Sequence, residues 1–259
     1  MQAPLNRGKS NLSLVAYYGE KPPEIEILIR EAQAILQDEL GPMFSKYAIG
    51  QVHATLISLE GHRTGNAIVN TNYDRFCQKR RIIDFTKAFR LLENTDILPF
   101  TVRIGGYRER DAYPFTSRGA HPYQRSFSIQ GDIAVAMGWP WDGSDYSPAL
   151  DRLRRAFNAA NILHKYHRTP DDIDNDFYFV LGNVTTGEIG TTVLQHTCLS
   201  MKEFLAHRDP LVVPVTKENL RVIAYVDPKV PPDTTRSYTV DEAAGNLEEL
   251  SALYRDAET

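Results

Sequence analysis

Cysteine is nearly absent: the 259-residue chain has two, Cys77 and Cys198. Two thiols cannot make a disulfide framework, and these lack the spacing of a sulfur-ligated metal site. The expectation is therefore a reducing, cytoplasmic setting, with no sulfur-ligated structural zinc as cofactor. Long apolar runs are missing too. No stretch approaches the ~18 residues that a membrane span needs, so no membrane contact is expected. The first seven residues lack the apolar centre of a secretory signal. Positive charge is in deficit, with 29 Lys and Arg against 33 Asp and Glu and a formal net charge of −4. An extended nucleic-acid surface would tip that balance the other way, so any such contact must be local.

What is present is ordinary for a globular chain, with 42% hydrophobic and 24% charged residues. Residues 11–18 are rich in strand formers and stop at Gly19. Apolar residues at helical spacing follow, from Ile25 to Leu40. Residues 49–59 alternate as a strand does, with Val52, Ala54, Leu56 and Ser58 on one face and His53, Thr55, Ile57 and Leu59 on the other. Residues 60–66 read as loop, 73–92 as a helix and 99–105 as a strand. Residues 105–125 are irregular. Residues 126–138 alternate again, 148–163 are amphipathic, and 177–181 form an apolar strand. Residues 192–200 read as a strand, 201–206 as a short helix, 220–226 as a strand and 242–254 as a helix.

This order contains an internal echo. Strand, helix, strand, short helix, strand runs over 11–105 and loosely again over 126–226, and both copies close on similar strands. The fold expected is α+β: two pseudo-symmetric lobes, each a small, mostly antiparallel sheet with helices, around a central cleft. The boundaries would be lobe 1 at 11–105, an irregular insertion at 106–125, lobe 2 at 126–227 and a tail at 228–259, all within one domain.

One triplet stands out, in Val52-His53-Ala54-Thr55-Leu56. Positions i and i+2 of a strand share a face, so an imidazole, able to act as acid or base near neutrality, would stand beside a hydroxyl. Two further His-x-Thr triplets, at 62–64 and 167–169, sit among Gly and Pro rather than in strands. The plainer reading of His53 is a strand histidine half-buried under a loop.

This segment, preceded by a strand and a long helix, resembles the first signature of the two-histidine phosphoesterases, which include RNA 2′,3′-cyclic phosphodiesterases. The resemblance implies two lobes that each give one His-x-Thr/Ser triplet to a shared cleft. It also implies metal-free acid/base chemistry on a phosphodiester. His53 would be an acid or base and Thr55 a phosphate ligand. The strand at 177–181 departs from the pattern, with Tyr178 where the second His is expected and Val180 where Thr is expected. His196 is then the candidate partner, ranked ahead of Tyr178 and His167.

Two other clusters carry chemistry. Residues 105–125 join Arg with Tyr and Gly, a combination suited to phosphate and base contacts. Within it Arg118 and Arg125 are candidate phosphate ligands, with Tyr178 as a further substrate contact. His164 and His167 precede Asp171, Asp172, Asp174 and Asp176. They make either a metal site or a helix end followed by an acidic loop. Three functions result: a phosphodiesterase for a nucleotide or short RNA end, a catalytically impaired nucleotide-binding module of the same fold, and a metal-dependent hydrolase on the His164–His167 cluster.

Overall fold

Alternating Leu12, Leu14 and Ala16 bury one side of the first strand, and every other element is placed relative to it. The computed structural model describes residue 8 and residues 10–256. The strands are β1 (Asn11–Ala16), β2 (Phe44–Lys46), β3 (Ala54–Ser58), β4 (Gly61–Thr64), β5 (Ala67–Asn70), β6 (Phe100–Ile104), β7 (Phe127–Gln130), β8 (Ile133–Asp142), β9 (Asp145–Tyr146), β10 (Phe177–Val184), β11 (Leu211–Val215), β12 (Leu220–Tyr225) and β13 (Arg236–Tyr238). The helices are α1 (Pro23–Leu40), α2 (Thr71–Cys77), α3 (Phe85–Asn94), α4 (Pro122–Arg125), α5 (Ala149–Ala156), α6 (Thr191–His207), α7 (Val240–Gly245) and α8 (Leu247–Leu253). No helix among the described residues is long and apolar enough to cross a membrane.

The fold is mixed α+β with three antiparallel sheets. One has the order β13-β12-β1-β3; a seven-stranded sheet runs β11-β6-β8-β10-β2, with β7 and β9 also on β8; β4 and β5 form a hairpin. One apolar core joins the two larger sheets, taking Leu12 and Leu14 from β1, Leu56 from β3, and Phe177, Phe179 and Leu181 from β10.

The closing strands change sides. β6 joins the sheet of β8 and β10, and β12 pairs with β1. The boundaries expected at 11–105 and 126–227 therefore do not follow the sheets, because each half surrenders its last strand to the other.

Local chemistry explains the other differences. Residues 192–200 belong to helix α6, since Leu194, Thr197, Cys198, Met201 and Leu205 recur at helical spacing and β-branched Thr191, Thr192 and Val193 at its start imitate a strand. Residues 73–92 are two helices, parted where Gln78 takes a left-handed conformation at φ 53°. Residues 126–138 are a hairpin turning at Gly131, where φ is +61°. Residues 60–66 contain β4 and the turn to β5, and 242–254 divide at Asn246.

Beneath the seam between the sheets lies Arg154 of α5, a guanidinium only 1% exposed. Its Nε donates to the Leu56 carbonyl at 2.7 Å and Nη2 to the Thr55 carbonyl at 3.1 Å. It also donates to the carbonyls of Asp174 at 2.9 Å and Asp176 at 3.1 Å, and pairs with the Asp174 carboxylate at 3.4 Å. One side chain thus ties β3 to the entry of β10. Breaking a buried pair leaves an uncompensated charge, so Arg154→Met should cost about 3–5 kcal/mol in urea unfolding. The exposed i,i+4 pair of Arg30 with Glu26 should be worth under ~0.5 kcal/mol in the same measurement.

His164 and His167 lie behind this clasp. Their Nε2–H groups donate to Asp174 at 2.7 Å and Asp151 at 2.8 Å, while both Nδ1 atoms are buried without a partner. Each imidazole has its own carboxylate, and among the described residues no cluster of three or more His, Cys, Asp or Glu could hold a metal ion. Burial, reinforced by the Arg154 charge, pushes His164 down to about 4 against the pull of Asp174. The unfolded chain therefore binds the proton more readily than the fold does. His164 contributes full stability above pH ~6.5, and that contribution is lost as pH falls toward 4, about 3 kcal/mol in all. His164→Asn keeps a donor for Asp174 but cannot titrate. Its urea midpoint should fall less than the parent's between pH 6.5 and 4; an equal fall would contradict the assignment.

Candidate functional site

His53 sits immediately before β3, where a 3₁₀ turn at Ile49–Gln51 delivers the chain into the sheet. Its Nδ1 lies 2.7 Å from the Gln51 carbonyl. A carbonyl can only accept, so Nδ1 carries the proton and Nε2 is left with a bare lone pair. Tyr18 stands edge-on to the ring at a centroid distance of 5.7 Å. Burial pushes the imidazole down to about 4, with the Lys21 charge acting in the same direction and the Gln51 hydrogen bond opposing them. At neutral pH it is an uncharged acceptor.

Thr55 lies on the same face, opposite Val15 of β1. The expected alternation breaks just beyond it. A bulge opposite Leu14 and Val15 of β1 leaves Leu56 as an extra residue, so Ile57 turns into the core and Ser58 lines up with Ser13. The bulged carbonyls are the pair that Arg154 holds. The solvent-side face therefore carries His53, Thr55, Ser58 and Ser13, with Tyr225 of β12 donating to or accepting from Ser13 at 3.2 Å. None of the described residues hydrogen-bonds the Thr55 hydroxyl.

Across the seam, β10 packs against β3. It buries Phe177, Phe179 and Leu181 and leaves Tyr178 and Val180 half-buried on the other face. Tyr178 acts electrostatically on both Tyr225 and Lys165, and with Val180 it packs against the cluster of Tyr107, Val135, Met137 and Trp139. Arg118, Arg125, Lys165, Tyr166, Asp176 and Tyr178 line a cavity of about 80 Å³ there. Arg118 is 3.4 Å from Asp176 and 3.7 Å from Asp174, and Arg125 is 3.1 Å from Asp176. Three cations and the Asp176 carboxylate thus meet in the lining, with Asp174 also reaching Arg118 and Glu60 acting on Lys165. The aromatics of residues 105–125 belong to the same cluster as Tyr178 and Val180, in which Tyr107, Tyr113 and Phe115 join Trp139 and Trp141.

His196 is elsewhere. It lies on α6, not on a strand, with its side chain 66% exposed and its Nδ1 2.9 Å from the Glu39 carboxylate. Glu39 is near the end of α1, whereas His53 neighbours Tyr18 and Lys21 just before that helix starts. Sixteen residues of helix at 1.5 Å each put the two histidines on the order of 20 Å apart. A shared phosphate is out of the question. Arg118, Arg125 and Tyr178 thus share one cavity, His53 and Thr55 stand at the start of β3, a strand that packs against β10, and His196 lies apart from both on α6.

Sequence reading missed Lys21 and Lys165. Burial, partly offset by Glu26, lowers Lys21 to about 8. Neither lysine belongs to a motif; Lys21 follows the strand by five residues and Lys165 reads only as charge at a helix end. Proximity to His53 and Tyr178 is a property of the fold alone.

No family model matches the chain, and no curated protein matches it. Among solved structures, the crystal structure of TT0787 of Thermus thermophilus is similar over 88% of this chain and 93% of that one, with 14% identity and a TM-score of 0.41.

A proton-detected titration tests the site's electrostatics. The His53 ring should stay neutral down to pH ~5 and titrate near 4. A midpoint at 6 or above would mean that the ring is solvated and free of the Lys21 field.

Proposed function

We propose that the seam between β3 and β10 binds a phosphate ester, of a nucleotide or a short RNA end, in a protein of two-histidine phosphoesterase type whose second triplet has been replaced. The observation that carries this is the cavity in which Arg118, Arg125 and Lys165 stand beside Tyr178, on β10, the strand that packs against β3. The reciprocal exchange of β6 and β12 supports the reading, since two pseudo-symmetric lobes that trade closing strands would give that pairing.

Binding is favoured over turnover by the missing partner. In-line displacement at phosphorus needs one group to take a proton from the entering oxygen and another to supply one to the leaving oxygen. His53, neutral with a bare Nε2, can do the first. Strand β10, where the second triplet would stand, offers a phenol and an isopropyl group, Tyr178 and Val180, instead of an imidazole and a hydroxyl. A ligand phosphate would accept hydrogen bonds from Thr55 and the guanidiniums and remain intact.

Calorimetry with a 2′,3′-cyclic nucleotide should show binding to the parent protein with no hydrolysis, and Arg125→Gln should weaken it. The double variant Tyr178→His with Val180→Thr restores the second triplet and should acquire hydrolysis that survives EDTA. Adding His53→Ala to that variant should lower the rate by roughly 10²–10⁴-fold. Absence of binding by the parent would refute the phosphate site. Hydrolysis by the parent would restore the catalytic reading over the binding one.

A further inference from the structure

The chain is acidic overall, yet one part of its surface is not. Residues 71–81, which hold α2, contain Arg75, Lys79, Arg80 and Arg81 against a single carboxylate, Asp74. All four cations are exposed, and so are Arg168 and Lys165. Among the described residues none of these six enters an ion pair. Exposed cations left unpaired in a chain with surplus carboxylates are available to an external anion.

Contacts connect this ridge to the cavity. Arg75 and Arg168 both stand over the Phe76 ring, at 5.3 and 4.5 Å from its centroid. Arg168 Nε donates to the Lys165 carbonyl at 3.3 Å. Lys165 and Arg118 both stand over Tyr166, at 4.8 and 4.0 Å, and both line the cavity. Cations and aromatic rings therefore alternate in one line from α2 to the seam. An aromatic ring beneath a guanidinium fixes its plane and leaves the outer face free for a base to stack on.

We propose that this ridge is a track for single-stranded nucleic acid, holding the nucleotides that extend from the phosphate seated in the cavity. The proposal rests on the phosphate-binding reading above and adds a polymeric ligand to it. A flexible single strand suits the alternation better than a duplex, because its unpaired bases offer faces to the Arg–aromatic stacks while its phosphates meet Lys79, Arg80 and Arg81.

Fluorescence anisotropy with a labelled ten-nucleotide oligouridylate, set beside calorimetry with the cyclic mononucleotide, tests it across a salt series. The oligomer should bind more tightly than the mononucleotide and lose affinity steeply with salt. The triple variant Lys79→Gln, Arg80→Gln, Arg81→Gln removes side chains that hold no ion pair, and its circular dichroism should match the parent's. It should bind the oligomer at least tenfold more weakly and lower the salt slope by about 2, for three phosphate contacts at ~0.7 each. Its mononucleotide affinity should not change. An oligomer that binds no better than the mononucleotide, or a triple variant with an unchanged slope, overturns the track and leaves the cavity reading intact. Ridge-dependent oligomer binding without mononucleotide binding supports the track and refutes the cavity. Sedimentation with phosphatidylserine vesicles that needs the ridge, with no oligomer binding, assigns the patch to a membrane surface and also overturns the proposal.

Discussion

Everything about the seam depends on one buried guanidinium. Arg154 satisfies four backbone carbonyls, two in β3 and two at the entry of β10, and one carboxylate. A bulge in β3 would otherwise leave the Thr55 and Leu56 carbonyls without a full ladder, a cost that the core could not absorb. With Arg154 in place the bulge is stable, and it keeps His53 and Thr55 on the open face while Ile57 turns inward. Asp174 in turn holds Arg154 in position and is itself held by His164. The His164–Asp174 pair, a candidate metal site by sequence, serves the clasp.

The same constraint sets the electrostatics on the open side. Asp174 and Asp176 enter the structure next to Arg154, and their carboxylates also receive Arg118 and Arg125. Those arginines are thereby fixed in place, and Lys165, which makes no ion pair among the described residues, adds a third cation to the cavity. A site assembled this way is preorganised for an anion but poorly equipped for proton transfer. Burial has left His53 uncharged, and β10 carries a phenol at Tyr178 where a second imidazole would be needed.

Much of this was legible in the chain. The α+β class and the strand that carries Thr55, with His53 at its entry, follow from alternation, and Arg118, Arg125 and Tyr178, singled out by residue type, line one cavity. The failures have separate physical causes. Thr191, Thr192 and Val193 carry strand propensity at the start of a helix, which moved His196 onto the wrong element. Pro214 disguised β11, since proline is tolerated in an edge strand but counts against one in sequence. The bulge after Thr55 depends on a side chain 99 residues away, so no local pattern reports it. Lys21 and Lys165 owe their roles to strands that meet only in the folded molecule.

The exchange of closing strands has a kinetic consequence. β1 emerges well before its partner β12, which lies 212 residues further on when measured from Ser13 to Tyr225. Until that strand leaves the ribosome, one edge of β1 has no partner, and the sheet that will carry His53 is incomplete. The seven-stranded sheet is no better placed, since β6 waits for β8 and β11. Pairings at such separation make folding slow and leave strand edges open to other chains meanwhile. Neither half can reach its native form in advance of the other, so assembly of these sheets is a single event that waits for β12.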